Sequence, residues 1–350
     1  MKKIVVAAIV VLLVMGAGVT IDKIVKNSKI MRVQVKMEKD RTRYIGEDGI
    51  SFYSMVDTRD KIYTLVDTEG DTDAYRIAKE VYAIDKKTGE MEKVPGSSKL
   101  KFGMDGIEST FGNEDYLGWV EADADSATRT VIYDIEQEKI MKKWEGSDTL
   151  SLSSPTVVGH QFYWLESRDK EPGLIKFYDL KTGEEGQIDE VGAEGTILAF
   201  SEHKMWYQDI RRGSGHLKSY DLRNGNYEIH DLGVDYNDLK PVGDDLVGYF
   251  KDGGLYLYDT KLQKSVLLRE NDNGIKANYD GKGIIISDQL SYKIESLNEV
   301  QYDNTIESEY PDNYRFSSDE RVQSLLFVTR VGEHEEIIWM NWDALRWLGK

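Results

Sequence analysis

The sequence predicts an all-β fold made of repeated four-stranded sheets, and three observations lead to that prediction. An apolar or aromatic run that ends in Asp recurs along the chain, and a polar turn follows it each time. The chain holds 31 glycines and 21 tyrosines but only five prolines, a composition that favours strands and tight turns. The repeats are spaced by about 43 residues, which is the length of four short strands with their turns.

The Asp that ends each run marks the end of the third strand of a sheet. Its side chain can accept a backbone N–H two or three residues further on, which holds a tight turn. Gly89, Gly183 and Gly225 supply the positive φ that such a turn requires. Each Asp serves the turn of its own sheet, so we interpret the repeated Asp residues as structural. Five clear copies and two weaker ones end at Asp85, Asp134, Asp179, Asp221, Asp259, Asn298 and Asp343.

A second apolar run precedes each of these strands and predicts the second strand of the same sheet. Runs such as 228–232 and 265–269 predict a fourth, outer strand, and 154–159 predicts a first strand. Seven such sheets of four antiparallel strands, arranged radially about an axis, form a seven-bladed β-propeller. The predicted second strands cover 61–67, 115–121, 161–167, 203–209, 245–251, 282–288 and 324–330.

The "YDLKTGE"-type hairpins between residues 50 and 350 resemble those of the TolB/WD40-like bacterial β-propellers, which include the PQQ-type and prolyl-oligopeptidase-type propeller domains. The resemblance implies the propeller superfold and no particular activity, because propellers carry many unrelated functions. The WD dipeptide at 342–343 occurs without its Gly-His partner, and the stacked tryptophans of quinoprotein blades are missing. We therefore predict no quinone cofactor.

The N-terminus predicts a membrane segment. Two lysines precede an uncharged run over 4–21, which is about the minimum length of a membrane-spanning helix. We interpret 1–21 as an uncleaved signal anchor, and a signal peptide that is cleaved before secretion is the alternative. The start of the run so close to Met1 favours export, so we expect an extracytoplasmic body at 49–350. Basic residues after the run favour the opposite orientation: Lys23, Lys26, Lys29 and Arg32.

The segment 22–48 is highly charged and has two interpretations. It forms a stalk, or the run 31–37 adds to the last sheet and closes the ring, because an open edge strand would be left unpaired. The C-terminal segment 344–350 is the alternative source of the last outer strand.

Composition and motifs exclude several classes of function. The formal net charge is −18, from 63 acidic and 45 basic residues, so the chain repels polyphosphate and we expect no nucleic-acid binding. The chain has no cysteine and therefore no disulfide. The sequence holds no G-x-S-x-G nucleophile elbow. Five histidines are scattered without the spacing of a transition-metal site.

Acidic residues concentrate in the connections between strands. In an up-and-down sheet, the second-to-third and fourth-to-first connections lie at one end, which we call the acidic loop face; the turns at the other end carry several lysines. We expect this face to bind a protein or peptide, with a basic segment as the best match. Asp67, Glu69, Asp71 and Asp73 also have a spacing that suits Ca²⁺. The predicted binding residues are Asp67, Glu69, Asp71, Asp73, Glu121, Asp123, Asp125, Glu309 and Asp312.

The sequence is compatible with three functional hypotheses. The first is a membrane-tethered, non-catalytic scaffold that binds a partner through the acidic loop face. The second is a lyase or glycosidase that uses two carboxylates from different blades, which requires a separation of about 5–10 Å. The third is a carbohydrate-binding module of the cell envelope that uses Trp164, Trp206 and Tyr207.

Overall fold

The computed structural model describes most of the chain from Met31 to Asn341. The membrane segment predicted at 1–21 lies outside the described residues, and no helix within them is long and apolar enough to cross a membrane. The described residues are 31–38, 41–67, 78–100, 105–123, 128–146, 150–168, 171–192, 196–211, 214–232, 237–270, 277–279, 284–287, 290–294, 300–303, 313–316, 324–331 and 334–341.

The regular structure of the described residues consists of β-strands. The first fifteen are β1 Met31–Arg32, β2 Gln34–Met37, β3 Thr42–Ile45, β4 Ser51–Asp57, β5 Lys61–Asp67, β6 Val81–Asp85, β7 Glu90–Lys93, β8 Gly106–Gly112, β9 Tyr116–Ala122, β10 Thr128–Asp134, β11 Lys139–Glu145, β12 Leu150–Val158, β13 Gln161–Arg168, β14 Gly173–Asp179 and β15 Glu185–Val191. The next fifteen are β16 Ala199–Phe200, β17 Lys204–Arg211, β18 Ser214–Asp221, β19 Tyr227–His230, β20 Asn237–Pro241, β21 Leu246–Lys251, β22 Gly254–Asp259, β23 Lys264–Glu270, β24 Ala277–Tyr279, β25 Ile284–Ser287, β26 Leu290–Ile294, β27 Val300–Asp303, β28 Asn313–Phe316, β29 Ser324–Val331 and β30 His334–Asn341.

These strands form antiparallel sheets, and seven sheets are present within the described residues. Sheets 2 to 6 each use four consecutive strands: β8–β11, β12–β15, β16–β19, β20–β23 and β24–β27. Sheet 1 consists of β4–β7 with β1 added beyond β7. Sheet 7 has the order β28-β29-β30-β3-β2, so strands from the beginning of the chain complete the sheet that its end forms. The run 31–37 is thus divided between sheets 1 and 7, whereas we expected from the sequence that the whole run would add to the last sheet.

The strand positions predicted from the apolar runs are confirmed. Each of the seven predicted second strands differs from the observed strand by at most two residues at either end. Five of the predicted third strands end at the expected Asp. The weaker copies at Asn298 and Asp343, and the alternative outer strand at 344–350, lie outside the described residues.

The Asp side chains hold the turns as predicted. Asp85 Oδ1 accepts the backbone N–H groups of Lys87 and Thr88 at 2.9 and 2.7 Å, and Asp179 Oδ1 accepts those of Lys181 and Thr182 at the same distances. The three turn glycines predicted above have φ values of 71°, 78° and 75°. In sheets 1 to 5, this Asp pairs with the first residue of the second strand, so the turn geometry repeats from sheet to sheet.

The hydrophobic core lies between neighbouring sheets. Residues from the second and third strands of one sheet pack against the next sheet, which produces a series of clusters instead of one central core. Phe111 of sheet 2 stacks on Phe162 of sheet 3 at 5.9 Å between ring centroids, and Tyr163 of sheet 3 contacts Phe200 of sheet 4 at 5.4 Å. Burial of each large apolar side chain contributes about 1.5–3 kcal/mol, so the stability of the fold is distributed over the junctions.

Sheet 7 contains a buried ion pair between strands from the two ends of the described chain. Arg43 on β3 donates to both carboxylate oxygens of Glu336 on β30, at 2.6 and 2.7 Å, and the Glu336 side chain is only 1% exposed. The neighbouring Glu335 accepts the backbone N–H of Phe52 in sheet 1 at 2.8 Å. The paired Glu336 carboxylate raises the pKa of Arg43. These bonds join the first and last parts of the described chain.

The segment between β1 of sheet 1 and β2 of sheet 7 crosses the outer edge of the junction between these two sheets. Val33 is buried, and its backbone N–H donates to Gly89 O at 2.9 Å. A Cβ atom added at Gly89 would lie 2.3 Å from Val33 O, whereas one at Gly225 would have Tyr220 Oη at 3.4 Å as its nearest neighbour. Gly89 is therefore required both for its positive φ and for the close approach of this segment.

We expect Arg43→Ala to lower the free energy of unfolding by about 3–5 kcal/mol, because it leaves the carboxylate of Glu336 buried without its partner. The matched control is Arg32→Ala, which removes an exposed pair with Glu90 and should cost less than about 1 kcal/mol. Urea unfolding of the two variants measures the difference. Equal losses would contradict the role given to the Arg43–Glu336 pair.

We expect Gly89→Ala to destabilise the protein by about 1–3 kcal/mol more than Gly225→Ala, since only the first substitution displaces Val33. Both substitutions carry the same cost of placing a side chain at positive φ, so the comparison isolates the contact. The measurement is again the free energy of unfolding in urea. If the two variants were equally stable, the segment 31–37 would not be held tightly at Gly89.

Candidate functional site

The topology divides the connections into two sets. First-to-second and third-to-fourth turns lie at one end of each sheet, and second-to-third and fourth-to-first connections lie at the other end, the acidic loop face. The connections of this face are 46–50, 68–80, 94–105, 123–127, 146–149, 169–172, 192–198, 212–213, 231–236, 252–253, 271–276, 288–289, 304–312 and 332–333.

The charges of the chain are unevenly distributed between these two ends. By sequence, acidic residues outnumber basic ones by about three to one in the connections of the acidic loop face, and by less than about two to one in the turns at the opposite end. By sequence, the connections of this face carry most of the net charge of −18. A concentrated field of this sign attracts cations and basic polypeptide segments.

Two of the predicted binding residues lie where the sequence placed them. Asp67 is the last residue of β5, and Asp123 follows β9 directly; both are half-buried, and both interact with other groups of the protein. The other predicted residues, apart from Glu121, lie outside the described residues: Glu69, Asp71, Asp73, Asp125, Glu309 and Asp312.

Glu121 differs from the expectation of an exposed loop residue. It lies in β9, is 1% exposed, and receives a hydrogen bond of 2.8 Å from Arg129 Nε and one of 3.2 Å from Trp119 Nε1. The run 121–125 resembled one acidic loop in sequence, but the strand continues to Ala122 and turns the side chain of Glu121 inwards. Its carboxylate therefore stabilises sheet 2 and is not available at the acidic loop face.

A second charge cluster, which is partly buried, joins sheets 3 and 4. Lys218 Nζ lies 2.9 Å from Asp189 and 2.8 Å from Asp209, and Tyr207 donates its hydroxyl hydrogen to Asp189 at 2.7 Å. Burial raises the pKa of the Tyr207 hydroxyl, and the hydrogen bond to Asp189 adds to this effect. Sequence reasoning missed this cluster, because its members come from three strands and no local motif connects them.

The aromatic residues considered for carbohydrate binding are buried. Trp164 is 2% exposed, and Trp206 and Tyr207 are 0% exposed. They pack in the junctions between sheets, where Trp164 stacks on Phe162 at 5.0 Å between ring centroids. These three side chains therefore form no platform for a sugar. Within the described part of the chain, no group of His, Asp and Glu side chains has the arrangement of a metal site.

The repeated Asp residues are occupied by their turns, which the pKa of Asp221 illustrates. Arg223 donates from its side chain to both oxygens of Asp221, at 3.1 and 2.7 Å, and from its backbone N–H at 2.9 Å. The side chain of Arg223 is the main reason that the pKa of Asp221 is lowered to about 2. Such an ionised, fully paired carboxylate stabilises a turn and is a poor proton donor near neutral pH.

We expect Asp221→Ala to destabilise the protein by about 1–2 kcal/mol at pH 7. The pKa of Asp221 is lowered on folding, so its stabilising effect is present above the unfolded value of about 3.9 and disappears as the pH falls towards 2. The difference from the unsubstituted protein should therefore shrink below about pH 4. Thermal unfolding between pH 7 and pH 3 measures this trend, and a difference that does not depend on pH would contradict it.

Comparison with known proteins identifies the fold. No protein-family model matches the chain, and no curated protein sequence matches it. One similar structure comes from an analysis of two prolyl endopeptidases, with a TM-score of 0.59 and 9% identity over 85% of this chain and 48% of that chain. Another is the β-propeller domain of the Trilobed protease from Pyrococcus furiosus, with a TM-score of 0.56 and 11% identity over 83% of this chain and 95% of that domain.

A third similar structure is an oligogalacturonate lyase in complex with manganese, with a TM-score of 0.53 and 12% identity over 91% of this chain and 99% of the lyase. Identities this low show the fold alone, because propellers with the same architecture carry unrelated activities. The chain is an all-β protein of the β-propeller fold.

Proposed function

We propose that this protein is a non-catalytic binding scaffold: a seven-bladed propeller, tethered to the membrane by residues 4–21, whose acidic loop face binds a basic protein or peptide segment. The observation that supports the proposal is the topology of each sheet, in which the second-to-third and fourth-to-first connections, rich in acidic residues by sequence, follow the same end of the sheet. The body is extracytoplasmic in this proposal, with secretion after cleavage as the alternative.

The proposed blade count rests on the order of contacts between sheets. The first strands of neighbouring sheets contact each other in succession, from β4 to β8 and β12 and again from β16 through β20 and β24 to β28. Sheets 3 and 4 meet through β15 and β17, and β29 and β30 of sheet 7 contact β4 of sheet 1. This succession returns to its starting point after seven sheets, which is the arrangement of a closed ring.

The described carboxylates support a binding role over a catalytic one. Several buried acids are paired with a basic residue of the same sheet, as in the pairs Glu121–Arg129, Glu336–Arg43 and Asp57–Lys86. A carboxylate held in this way is fixed in position, and loss of its partner would destabilise the scaffold that carries the connections. The acids of the connections themselves lie mainly on segments that vary in length between sheets, and such variation is typical of binding surfaces.

A carboxylate-based enzyme is the second candidate. The oligogalacturonate lyase and the peptidases mentioned above show that the propeller fold is compatible with catalysis. For this chain, that function requires two carboxylates about 5–10 Å apart that face a common substrate.

We expect the full chain to bind an N-acetylated octalysine peptide, with an affinity that falls as salt is raised from 50 to 300 mM, because screening weakens attraction between exposed charges. Replacing four acids of the acidic loop face should weaken binding by about five- to tenfold. The substitutions are Asp67→Asn, Asp71→Asn, Asp73→Asn and Asp123→Asn. Isothermal titration calorimetry measures the affinity, and a parallel titration with CaCl₂ tests the proposed calcium site at 67–73.

The matched control removes the same number of charges at the opposite end of the sheets, where four exposed acids occupy turns. It should change the affinity less than about twofold. Equal weakening by both sets would show that only net charge matters and would overturn the acidic loop face as the site. Failure of the unsubstituted chain to bind the peptide at 50 mM salt would overturn the scaffold proposal. The control substitutions are Asp60→Asn, Glu136→Gln, Glu138→Gln and Glu184→Gln.

A further inference from the structure

Clefts open between neighbouring sheets, chiefly towards the end opposite the acidic loop face. One lies between sheets 1 and 2 with a volume of about 400 Å³, one between sheets 3 and 4 with about 510 Å³, and one between sheets 4 and 5 with about 370 Å³. Volumes of this size suit a small ligand or one or two residues of a peptide. The clefts differ in their lining, and this difference determines what each can bind.

The cleft between sheets 3 and 4 has apolar walls. Val157 and Val158 at the end of β12 and Tyr163 on β13 line one side, and Phe200 on β16 and Leu222 after β18 line the other. Val157 and Tyr163 are buried, whereas Val158, Phe200 and Leu222 are half-buried and therefore accessible from the cleft. An apolar group that enters here is removed from water on several sides.

Two basic side chains line the same cleft from opposite sheets. Lys181 and Arg223 occupy equivalent positions, each two residues after the Asp that ends a third strand, and both are exposed. Arg223 is paired with Asp221. The Lys181 ammonium forms no ion pair with any other residue that the structure describes, so it can take an anionic partner.

The remaining ionisable groups of this cleft already have partners. His160 lies 3.1 Å from Asp179, and His203 lies 3.4 Å from Asp244. The two carboxylates of the lining, Asp115 and Glu202, interact with other groups of the protein. Lys181 is therefore the basic group of this cleft whose charge is not already matched within the described residues.

The other two clefts do not combine apolar walls with a basic side chain whose charge is unmatched. Between sheets 4 and 5, the three basic side chains are each paired with an acid of the protein, at 3.2 Å for Lys204–Glu228, 2.7 Å for Arg223–Asp221 and 2.5 Å for Lys261–Asp245. Between sheets 1 and 2, four acids outnumber the two lysines of the lining, which disfavours an anion: Asp60, Glu92, Glu114 and Glu138.

We propose that the cleft between sheets 3 and 4 binds an apolar group that carries a carboxylate, namely the C-terminal residue of a peptide with an aromatic or large aliphatic side chain. The side chain packs against Phe200 and Leu222, and the terminal carboxylate pairs with Lys181. A single residue with its carboxylate fills part of the volume, and the preceding residue fills more of it. This site lies at the opposite end of the sheets from the acidic loop face and does not depend on it.

The test uses the full chain and the tripeptide N-acetyl-Ala-Leu-Phe in two forms, with a free carboxylate and with a C-terminal amide. Titration followed by calorimetry should show binding of the acid in the millimolar range or tighter, and the amide should bind at least about tenfold more weakly. Sodium octanoate is the third probe, because a free fatty acid offers the same chemistry without a peptide. We expect octanoate to bind more weakly than the acid peptide.

Lys181→Gln should weaken binding of the acid peptide by about five- to tenfold and leave binding of the amide unchanged. Lys261→Gln is the matched control: it removes a lysine from the same position of the sheet 5 turn and should have no effect. Leu222→Gln, which makes one wall polar, should weaken both forms of the peptide. Equal affinity for the acid and the amide would overturn the proposal. So would a loss of affinity in Lys261→Gln as large as that in Lys181→Gln. Tighter binding of octanoate than of the acid peptide would overturn the peptide as the ligand.

Discussion

The pairing of β3 with β30 is the interaction on which the rest of the structure depends. It brings Arg43 from the beginning of the described chain onto the buried Glu336 near its end, and four successive residue pairs extend the contact along both strands. Sheets that contact only their neighbours would otherwise leave the first and last sheets free to separate, with an unpaired edge at each. The hydrophobic cluster between sheets 7 and 1, which includes Tyr44, Phe52 and Ile337, is formed only while these strands are paired.

The junctions between sheets also explain how a stable fold can carry connections of different lengths. The repeated Asp turns hold each sheet and the apolar contacts hold neighbouring sheets together, and neither depends on the length of the connections at the acidic loop face. Second-to-third connections range from the two residues 252–253 to the thirteen residues 68–80. A scaffold held by its junctions tolerates such differences, and the connections can therefore carry a binding function without destabilising the fold.

Buried charges have a different role from the charges of the connections. Glu121, Asp189 and Asp209 lie within sheets or between them and are paired with Arg129 or Lys218. Removal of one partner from such a pair leaves an uncompensated charge in a medium of low dielectric constant, which destabilises the strands that carry the pair. Asp67 and Asp123, at the ends of β5 and β9, are half-buried. In the proposed function, the summed field of the acids at the acidic loop face acts over about 10 Å and attracts a partner of opposite charge.

The sequence by itself determined the all-β class, the positions of the second and third strands, and the Asp turns, because these follow from local patterns: a period of apolar runs, a side chain that accepts nearby N–H groups, and glycine at positive φ. Only the tertiary structure decided which strands complete sheets 1 and 7, that Glu121 points inwards next to Arg129, that Lys218 joins two sheets, and that a cleft with apolar walls opens beside Lys181. Each of these depends on residues far apart in the chain, and the charge or polarity of a single residue does not reveal which distant partner will meet it.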